Sequence, residues 1–157
     1  MSDTIADPEN TLILEVAHGR VVIECLPDEA PNHVARIKEL AREGFYDGII
    51  FHRVIAGFMA QTGDPTGTGM SGSGQKLGAE FNDVSHQRGV CSMARSQSPA
   101  SADSPLFICF DDASFLDKQY TAWGNVIEGM DAVDQIAKGE PPADPDKIIS
   151  MKVAADV

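Results

Sequence analysis

The length and charge of the chain set the first limits on its fold and partners. Its 157 residues are most simply one domain, and a globular chain of this size buries about 68–70% of its unfolded surface. Twelve basic and 24 acidic residues give a formal net charge of −12. Because nucleic-acid phosphates and anionic lipids attract basic surfaces, this balance disfavours nucleic acids and membranes as partners.

Neither the cysteines nor the N-terminus suggests an exported protein. No C-x-x-C pair occurs among Cys25, Cys91 and Cys109, so we expect buried free thiols rather than a disulfide framework or a zinc knuckle. Residues 1–7 contain no basic region and no apolar run typical of a signal peptide, and no stretch approaches the roughly 18 apolar residues of a membrane span. We therefore expect a cytoplasmic protein.

The predicted elements begin with a hairpin and a helix. Residues 1–10 are polar and are expected to form a flexible N-terminal segment, followed by a single domain over 11–157. Residues 11–16 and 20–26 are rich in β-branched side chains and flank a short turn, which predicts a β-hairpin. Pro31 is typical of the first position of a helix, and an apolar stripe follows it as far as Gly44.

Strands dominate the rest of the chain. The pattern predicts a second helix over 130–138 and further strands over 48–54, 58–61, 90–93, 106–110, 122–126 and 147–153. Many short strands with two helices favour a mainly β fold over parallel βαβ units. We expect a closed eight-stranded antiparallel β-barrel capped by two α-helices, since closure removes exposed sheet edges.

Residues 51–64, Phe-His-Arg-Val-Ile-Ala-Gly-Phe-Met-Ala-Gln-Thr-Gly-Asp, are the most informative stretch. They set one guanidinium (Arg53), two large apolar side chains (Phe58 and Met59) and one carboxamide (Gln61) within a strand, a tight turn and a second strand. Such a set can hold a peptide segment and stabilise a twisted amide without covalent chemistry. The stretch resembles the signature of the cyclophilin family of peptidyl-prolyl cis-trans isomerases.

The resemblance covers nearly all of the chain from about residue 11. Residues 67–69 are similar to the Gly-Thr-Gly loop beside the groove of the family, and residues 92–95 to its Ser-Met-Ala-Asn or Ser-Met-Ala-Arg segment. Residues 106–109 are similar to Phe-Phe-Ile-x and residues 115–117 to Trp-Leu-Asp, while Tyr120 stands where many members carry histidine.

The resemblance implies a rotamase that acts on X-Pro bonds in peptides and in unfolded or folding proteins. The mechanism requires no cofactor and no metal, and we expect a monomer. The catalytic residue is expected to be Arg53. The expected substrate-binding residues are Phe58, Met59, Gln61, Gly67, Ala94, Arg95, Phe107, Phe115, Leu116 and Tyr120.

Arg53 suits the chemistry because arginine is always protonated and only donates hydrogen bonds. Rotation about an X-Pro amide destroys its resonance against a barrier of about 18–20 kcal/mol, and the nitrogen regains a lone pair. A donor aimed at that lone pair binds the twisted amide more strongly than the planar one. One such bond supplies about 1.5–3 kcal/mol, whereas a ~10⁵-fold acceleration needs about 7 kcal/mol. An apolar groove and orientation of the peptide must therefore supply the rest.

Three departures from the family pattern lead to two separate expectations. Pro105 stands where the family usually has glutamine, which removes a carboxamide and a backbone donor, and Leu106 replaces a phenylalanine. The alternative function is therefore a proline-peptide-binding or chaperone module with weakened catalysis. Phe115 in place of tryptophan removes an indole donor, so we expect weak binding of cyclosporin-type inhibitors.

Other functional patterns are weak. Residues 67–72 fit G-x-G-x-x-G, but no apolar helix follows them and no βαβ unit is predicted. The four histidines lie far apart without metal-ligand spacing. A soluble domain with a small-molecule or nucleotide role is the third interpretation.

Overall fold

The computed structural model describes residues 7–64, 80, 82–94, 105–139 and 142–156. Its helices are α1 (Pro31–Arg42) and α2 (Met130–Asp134), with 3-10 turns at Pro8–Asn10, Ser114–Leu116 and Ala154–Asp156. Its strands are β1 (Thr11–Val16), β2 (Gly19–Cys25), β3 (Arg53–Ile55), β4 (Met59–Thr62), β5 (Val90–Met93), β6 (Leu106–Cys109), β7 (Ala122–Glu128) and β8 (Ser150–Val153). These strands form one antiparallel sheet in the order β3-β4-β6-β5-β7-β2-β1-β8.

The predicted mainly β fold, with eight antiparallel strands and two helices, is confirmed. The expectation of full closure goes slightly too far, because β3 and β8 remain the two edges of a curled sheet. Within the described residues, the segments that precede these edges meet through an isolated bridge between Ile50 and Lys147 rather than a continuous ladder. The positive φ of Gly48 (82°) interrupts the extended run, so β3 begins at residue 53 instead of 48.

The second helix is shorter than predicted and ends at Asp134 instead of residue 138. The N–H of Ala137 donates to the Asp146 carboxylate at 2.8 Å, and Lys138 Nζ donates to the carbonyls of Asp134 and Ile136 at 2.8 and 2.7 Å. These bonds to partners outside the helix replace the intrahelical bonds that a longer helix would need.

Side chains alternate between the two faces of the sheet, and this alternation separates the core from the site. Val54, Ala60, Ile108 and Cys91 lie in the main core. Their chain neighbours on β3, β4 and β6 point to the other face, where Met59, Phe107 and Cys109 form a second, smaller buried cluster with Ala113. The period of two along each strand therefore builds an apolar surface outside the main core.

Helix α1 covers the main core with the predicted apolar stripe, which contains Val34, Ile37 and Leu40. Ala30, which directly precedes the helix at the N-cap position, provides no side-chain cap. The Glu80 carboxylate instead accepts the N–H groups of Asn32 at 3.1 Å and His33 at 2.8 Å. A carboxylate at this end of the helix satisfies unpaired donors and complements the helix dipole.

Ion pairs join the first 3-10 turn to α1. Glu9, in this turn, pairs with Arg42 at 2.9 Å and Lys38 at 3.0 Å, which lowers the pKa of its carboxyl to about 2.

The three cysteines are buried and free, as predicted, and burial raises the pKa of Cys25 and Cys109 to about 12. Among the described residues, no helix has the length and apolar character needed to cross a membrane.

Candidate active site

A cross-strand row of side chains lies on the outer face of the sheet. Arg53 on β3 is directly opposite Gln61 on β4, and Gln61 is directly opposite Phe107 on β6. Two residues further along the strands, Met59 lies opposite Cys109 on the same face. Because neighbouring strands lie about 4.7–4.9 Å apart, the Cα atoms of Arg53 and Phe107 are separated by about 10 Å, wide enough for an extended peptide.

The tight turn between β3 and β4 sets this register. Phe58 N–H donates to the Ile55 carbonyl at 3.0 Å, and Gly57 has a φ of 74°. A positive φ at this position suits the third residue of a type II turn and favours glycine. The turn brings Arg53 and Gln61 into direct opposition although eight residues separate them.

The row opens into a pocket of about 110 Å³. This volume is somewhat smaller than the roughly 150 Å³ of an apolar cavity that takes up benzene, so a five-membered pyrrolidine ring is a fitting occupant. Eight of the predicted site residues line the pocket: Arg53, Phe58, Met59, Gln61, Ala94, Phe107, Leu116 and Tyr120.

Arg53 supplies the positive charge at the edge of this pocket. Its side chain is exposed, and Nη1 lies 3.5 Å from Gln61 Oε1. A contact of that length is weak, and catalytic hydrogen bonds often shorten only in the substrate complex. The contact between Arg53 and Gln61 is therefore weak in the free protein.

Phe107 forms the floor of the pocket and is almost fully buried, with 4% of its surface exposed. Its ring makes a T-shaped contact with the ring of Tyr120, with centroids 5.9 Å apart and planes at 83°. Leu116 and Phe58 are partly buried against the same cluster. The floor of the groove and the Leu116 and Phe58 walls are thus apolar, and its polar side chains are Arg53, Gln61 and Tyr120.

Among the described residues, Phe115 is the one predicted site residue that does not line the pocket. The side chain of Phe115 is 66% exposed, and its ring lies beside Phe58 with centroids 5.6 Å apart and planes at 36°. This position is at the rim of the groove and not inside it. Gly67 and Arg95 lie outside the described residues.

His52, next to Arg53 in the chain, does not reach the groove. It is buried, and neither of its ring nitrogens has a hydrogen-bond partner among the described residues. Burial lowers the pKa of His52, as does the neighbouring charge of Arg53, whereas Asp64 acts in the opposite direction. His52 is therefore a neutral buried side chain and not a base in the site.

Sequence reasoning missed a polar group beneath the floor. His86 stacks against Phe107, with centroids 6.2 Å apart and planes at 22°. Its Nδ1 lies 3.0 Å from Asp117 Oδ1, and its Nε2 lies 2.9 Å from Ser92 Oγ. Hydrogen bonds from the His86 backbone N–H and the Ser85 hydroxyl lower the pKa of Asp117. Asp117 ends the 115–117 motif and Ser92 begins the 92–95 segment, but no sequence signal pointed to His86 or joined the three residues.

The Asp117–His86–Ser92 order resembles a hydrolytic triad, but its serine cannot reach a substrate. Ser92 and His86 are both 0% exposed; Ser92 is directly opposite Phe107 on the neighbouring strand β5, and His86 stacks against the Phe107 ring. Ser92 Oγ also lies 2.9 Å from the Thr121 carbonyl, which satisfies its hydroxyl within the protein. A nucleophile must contact the reacting carbon, so this group supports the groove rather than covalent chemistry.

Comparison with known proteins agrees with the groove. Residues 11–153 match the family described as "Cyclophilin type peptidyl-prolyl cis-trans isomerase/CLD". A probable peptidyl-prolyl cis-trans isomerase from Brucella abortus is 51% identical over 169 residues, covering 96% of this chain and 86% of the relative. A peptidyl-prolyl cis-trans isomerase from Synechococcus elongatus is 38% identical, covering 92% and 96% of the two chains.

Solved structures share the fold. A cyclophilin from Hirschia baltica superposes with a TM-score of 0.89 at 32% identity, covering 96% of this chain and 76% of the other. A cyclophilin-type isomerase from Cryptosporidium parvum, solved in the presence of the dipeptide Ala-Pro, has a TM-score of 0.85 at 27% identity, covering 91% and 98%.

Proposed function

This chain belongs to the cyclophilin family of peptidyl-prolyl cis-trans isomerases, and we propose that it rotates X-Pro bonds by holding the prolyl ring in the described groove beside Arg53. The family and its named relatives support the isomerase activity. The observation that carries the mechanism is the cross-strand row, which sets a guanidinium beside an apolar pocket of pyrrolidine size. The Ala-Pro dipeptide present with the Cryptosporidium isomerase supports proline-containing peptides as the substrate class.

The groove divides the work among three kinds of group. Arg53 donates to the prolyl nitrogen as it becomes pyramidal, a bond that exists only in the twisted amide. Gln61 can donate to and accept from the peptide backbone on the same side. The apolar floor and walls receive the prolyl ring and exclude water, which favours the twisted amide because it is less polar than the planar one. No energy source is needed, since the cis/trans bias of X-Pro bonds is only about 0.5–1 kcal/mol.

The remaining predicted residues have supporting roles in this proposal. Ala94 lines the pocket, and its N–H donates to the Pro105 carbonyl at 2.9 Å, which fixes the orientation of the segment next to Arg95. Phe115 extends the aromatic rim beside Phe58 for residues that flank the proline. Arg95 and Gly67 keep the roles that the family resemblance implies, and both stay predictions.

An exchange experiment tests the mechanism without a coupled protease. Two-dimensional NMR exchange on a short Ala-Pro peptide measures the rate of cis/trans interconversion at catalytic enzyme concentration. One hydrogen bond to a charged group is worth about 1.5–3 kcal/mol, so Arg53→Ala should lower kcat/KM by about 10- to 150-fold. Because Arg53 is exposed, the stability of the variant should change by no more than about 0.5 kcal/mol.

Arg20→Ala is the matched control, because Arg20 is an exposed arginine on β2 whose side chain, within the part of the protein that the structure describes, makes one long contact, 3.8 Å, with the carboxylate of Glu15. Its turnover should equal that of the unmodified protein. Equal turnover in Arg53→Ala would remove Arg53 from its role. Peptide chemical-shift changes without catalysed exchange in the unmodified protein would favour the alternative of a proline-binding or chaperone module.

Several wider expectations stay predictions. They are a cytoplasmic location, a monomeric state, a division of the chain at residue 10, folding proteins as clients, and weak binding of cyclosporin-type inhibitors. Nanomolar affinity in a calorimetric titration would contradict the last of them. Phe115 supports it, since its exposed phenyl ring offers no N–H donor at the rim.

A further inference from the structure

A chain of hydrogen bonds lies beneath the pocket floor and involves no residue assigned above to contact with substrate. It runs from Asp117 through the ring of His86 to Ser92, with donor–acceptor distances of 3.0 and 2.9 Å. His86 and Ser92 are fully buried, although neither belongs to the main apolar core. Burying two polar side chains directly behind an aromatic floor is costly unless their hydrogen bonds are complete.

The positions of the hydrogen atoms allow every one of these bonds to form. A carboxylate only accepts hydrogen bonds, and Asp117 Oδ1 accepts the backbone N–H of His86 at 2.7 Å. The bond between Asp117 Oδ1 and His86 Nδ1 therefore requires a hydrogen on Nδ1. When the imidazole is neutral, Nε2 accepts the hydroxyl hydrogen of Ser92. When it is protonated, Nε2 donates to Ser92 Oγ, and the hydroxyl turns to the Thr121 carbonyl 2.9 Å away. Both nitrogens remain bonded in either state.

A ring bonded at both nitrogens cannot rotate without breaking both bonds. The plane of His86 is therefore fixed, and Phe107 stacks against that plane with an interplanar angle of 22°. Tyr120 makes a T-shaped contact with the same phenyl ring. The orientation of the pocket floor is thus determined by the stacked ring of His86 and by the perpendicular ring of Tyr120.

The same histidine also holds one wall of the groove. The N–H of Ala113 donates to the His86 carbonyl at 2.7 Å, and Ala113 directly precedes the 3-10 turn that carries Leu116. Asp117 directly follows that turn and bonds to the backbone and ring of His86. Both ends of the turn are therefore tied to one residue.

We propose that His86 is a positioning residue that fixes the Phe107 floor and the Leu116 wall of the groove through its bonds to Asp117 and Ser92. The proposal rests on the proposed function, since it concerns the same groove. His86 touches no substrate atom and acts through Phe107. Small displacements of groups that orient a substrate can lower turnover by as much as about 100-fold, so a loose floor should be visible in kcat.

His86→Asn tests this, because asparagine can still donate to Asp117 but has no ring face and cannot reach Ser92. His33→Asn is the matched control. His33 is likewise a fully buried histidine bonded to a carboxylate, Glu80 at 2.6 Å, but it lies on α1 and does not line the pocket. Both variants replace a buried ring by a shorter amide that can still donate to the carboxylate, so a general loss of stability should affect them alike.

Two readouts separate positioning from stability. In the exchange assay, kcat of His86→Asn should fall about tenfold or more with KM changed less than about threefold, and kcat of His33→Asn should stay within about twofold of the unmodified protein. In methionine-methyl NMR spectra of the free protein, the Met59 signal should shift and broaden in His86→Asn. Met59 lies in the cluster with Phe107, and the Met151 signal from the main core is the internal reference.

An unchanged Met59 signal with unchanged kcat in His86→Asn would overturn the proposal, as would equal losses of kcat in both variants. If His86→Asn does not fold, Ser92→Ala decides, because it removes one hydrogen-bond partner and keeps the His86–Asp117 pair. A shifted or broadened Met59 signal in Ser92→Ala supports positioning, and an unmoved one overturns it. Because the methyl readout needs no activity, it stands even if Arg53→Ala shows the proposed mechanism to be wrong.

Discussion

Phe107→Ala should lower the free energy of unfolding and weaken the binding of the prolyl ring, by amounts that follow from the structure. A buried Phe→Ala change costs about 3–5 kcal/mol. The low end applies here, because the vacated space would merge with the open groove instead of leaving a sealed cavity. A loss of about 3 kcal/mol should lower the Tm by about 6–12 °C for a chain of this size.

The effect on substrate follows from the size of the prolyl ring. Each buried methylene is worth about 0.8 kcal/mol, and a pyrrolidine ring presents three, so full burial is worth about 2.4 kcal/mol. The phenyl floor covers one of the two faces of the ring, or about half of this. Loss of about 1.2 kcal/mol should raise KM about eightfold. Phe107→Leu keeps an apolar floor and should raise KM less.

Phe110→Ala provides the comparison, since Phe110 follows β6 but packs in the main core and does not line the pocket. Urea unfolding can be followed through the fluorescence of Trp123, the single and fully buried tryptophan, and KM through the NMR exchange assay. Phe110→Ala should lose at least as much stability as Phe107→Ala with KM unchanged. An equal rise of KM in both variants, or an unaltered KM in Phe107→Ala, would show that the Phe107 ring does not bind the prolyl ring.

Two further predictions concern a subsite and the response to acid. Pro105→Gln restores a carboxamide, and the bond from the Ala94 N–H to the carbonyl of residue 105 should survive because it involves only the backbone. We expect kcat/KM in the exchange assay to rise by up to about tenfold. A lower kcat/KM would contradict this expectation. The folded-state pKa of Asp117 is lowered, chiefly by the backbone N–H of His86, so the unfolded chain takes up its proton at higher pH. The contribution of Asp117 is then complete above its ordinary pKa of about 3.9 and is lost as pH falls through the lower folded value. The control is Asp83→Asn, because Asp83 is an exposed carboxylate. Between about pH 6 and about pH 3, the urea midpoint of Asp117→Asn should fall less steeply with pH than that of Asp83→Asn. Equal slopes would show that Asp117 makes no such contribution.

The sequence pattern alone predicted the local parts of the site. Period-two alternation after the tight turn at Gly57 is enough to expect Met59 and Gln61 on one face of β4, because both signals act within a few residues. The apolar stripe of α1 was predicted for the same reason. For Phe107, Leu116 and Tyr120, spacing was silent, and only the resemblance to a family pointed to them.

Tertiary structure decided which strands are neighbours in the sheet and therefore which side chains lie next to one another. Strand β6 lies between β4 and β5 although more than forty residues separate it from β4, and this order places Phe107 opposite Gln61. Nor could local signals reveal that His86 reaches both Asp117 and Ser92, or that Phe115 stands at the rim. Side-chain periodicity reports which way a residue points on its own strand. Which strand becomes its neighbour depends on how the whole chain buries its apolar surface, a choice that no short stretch contains.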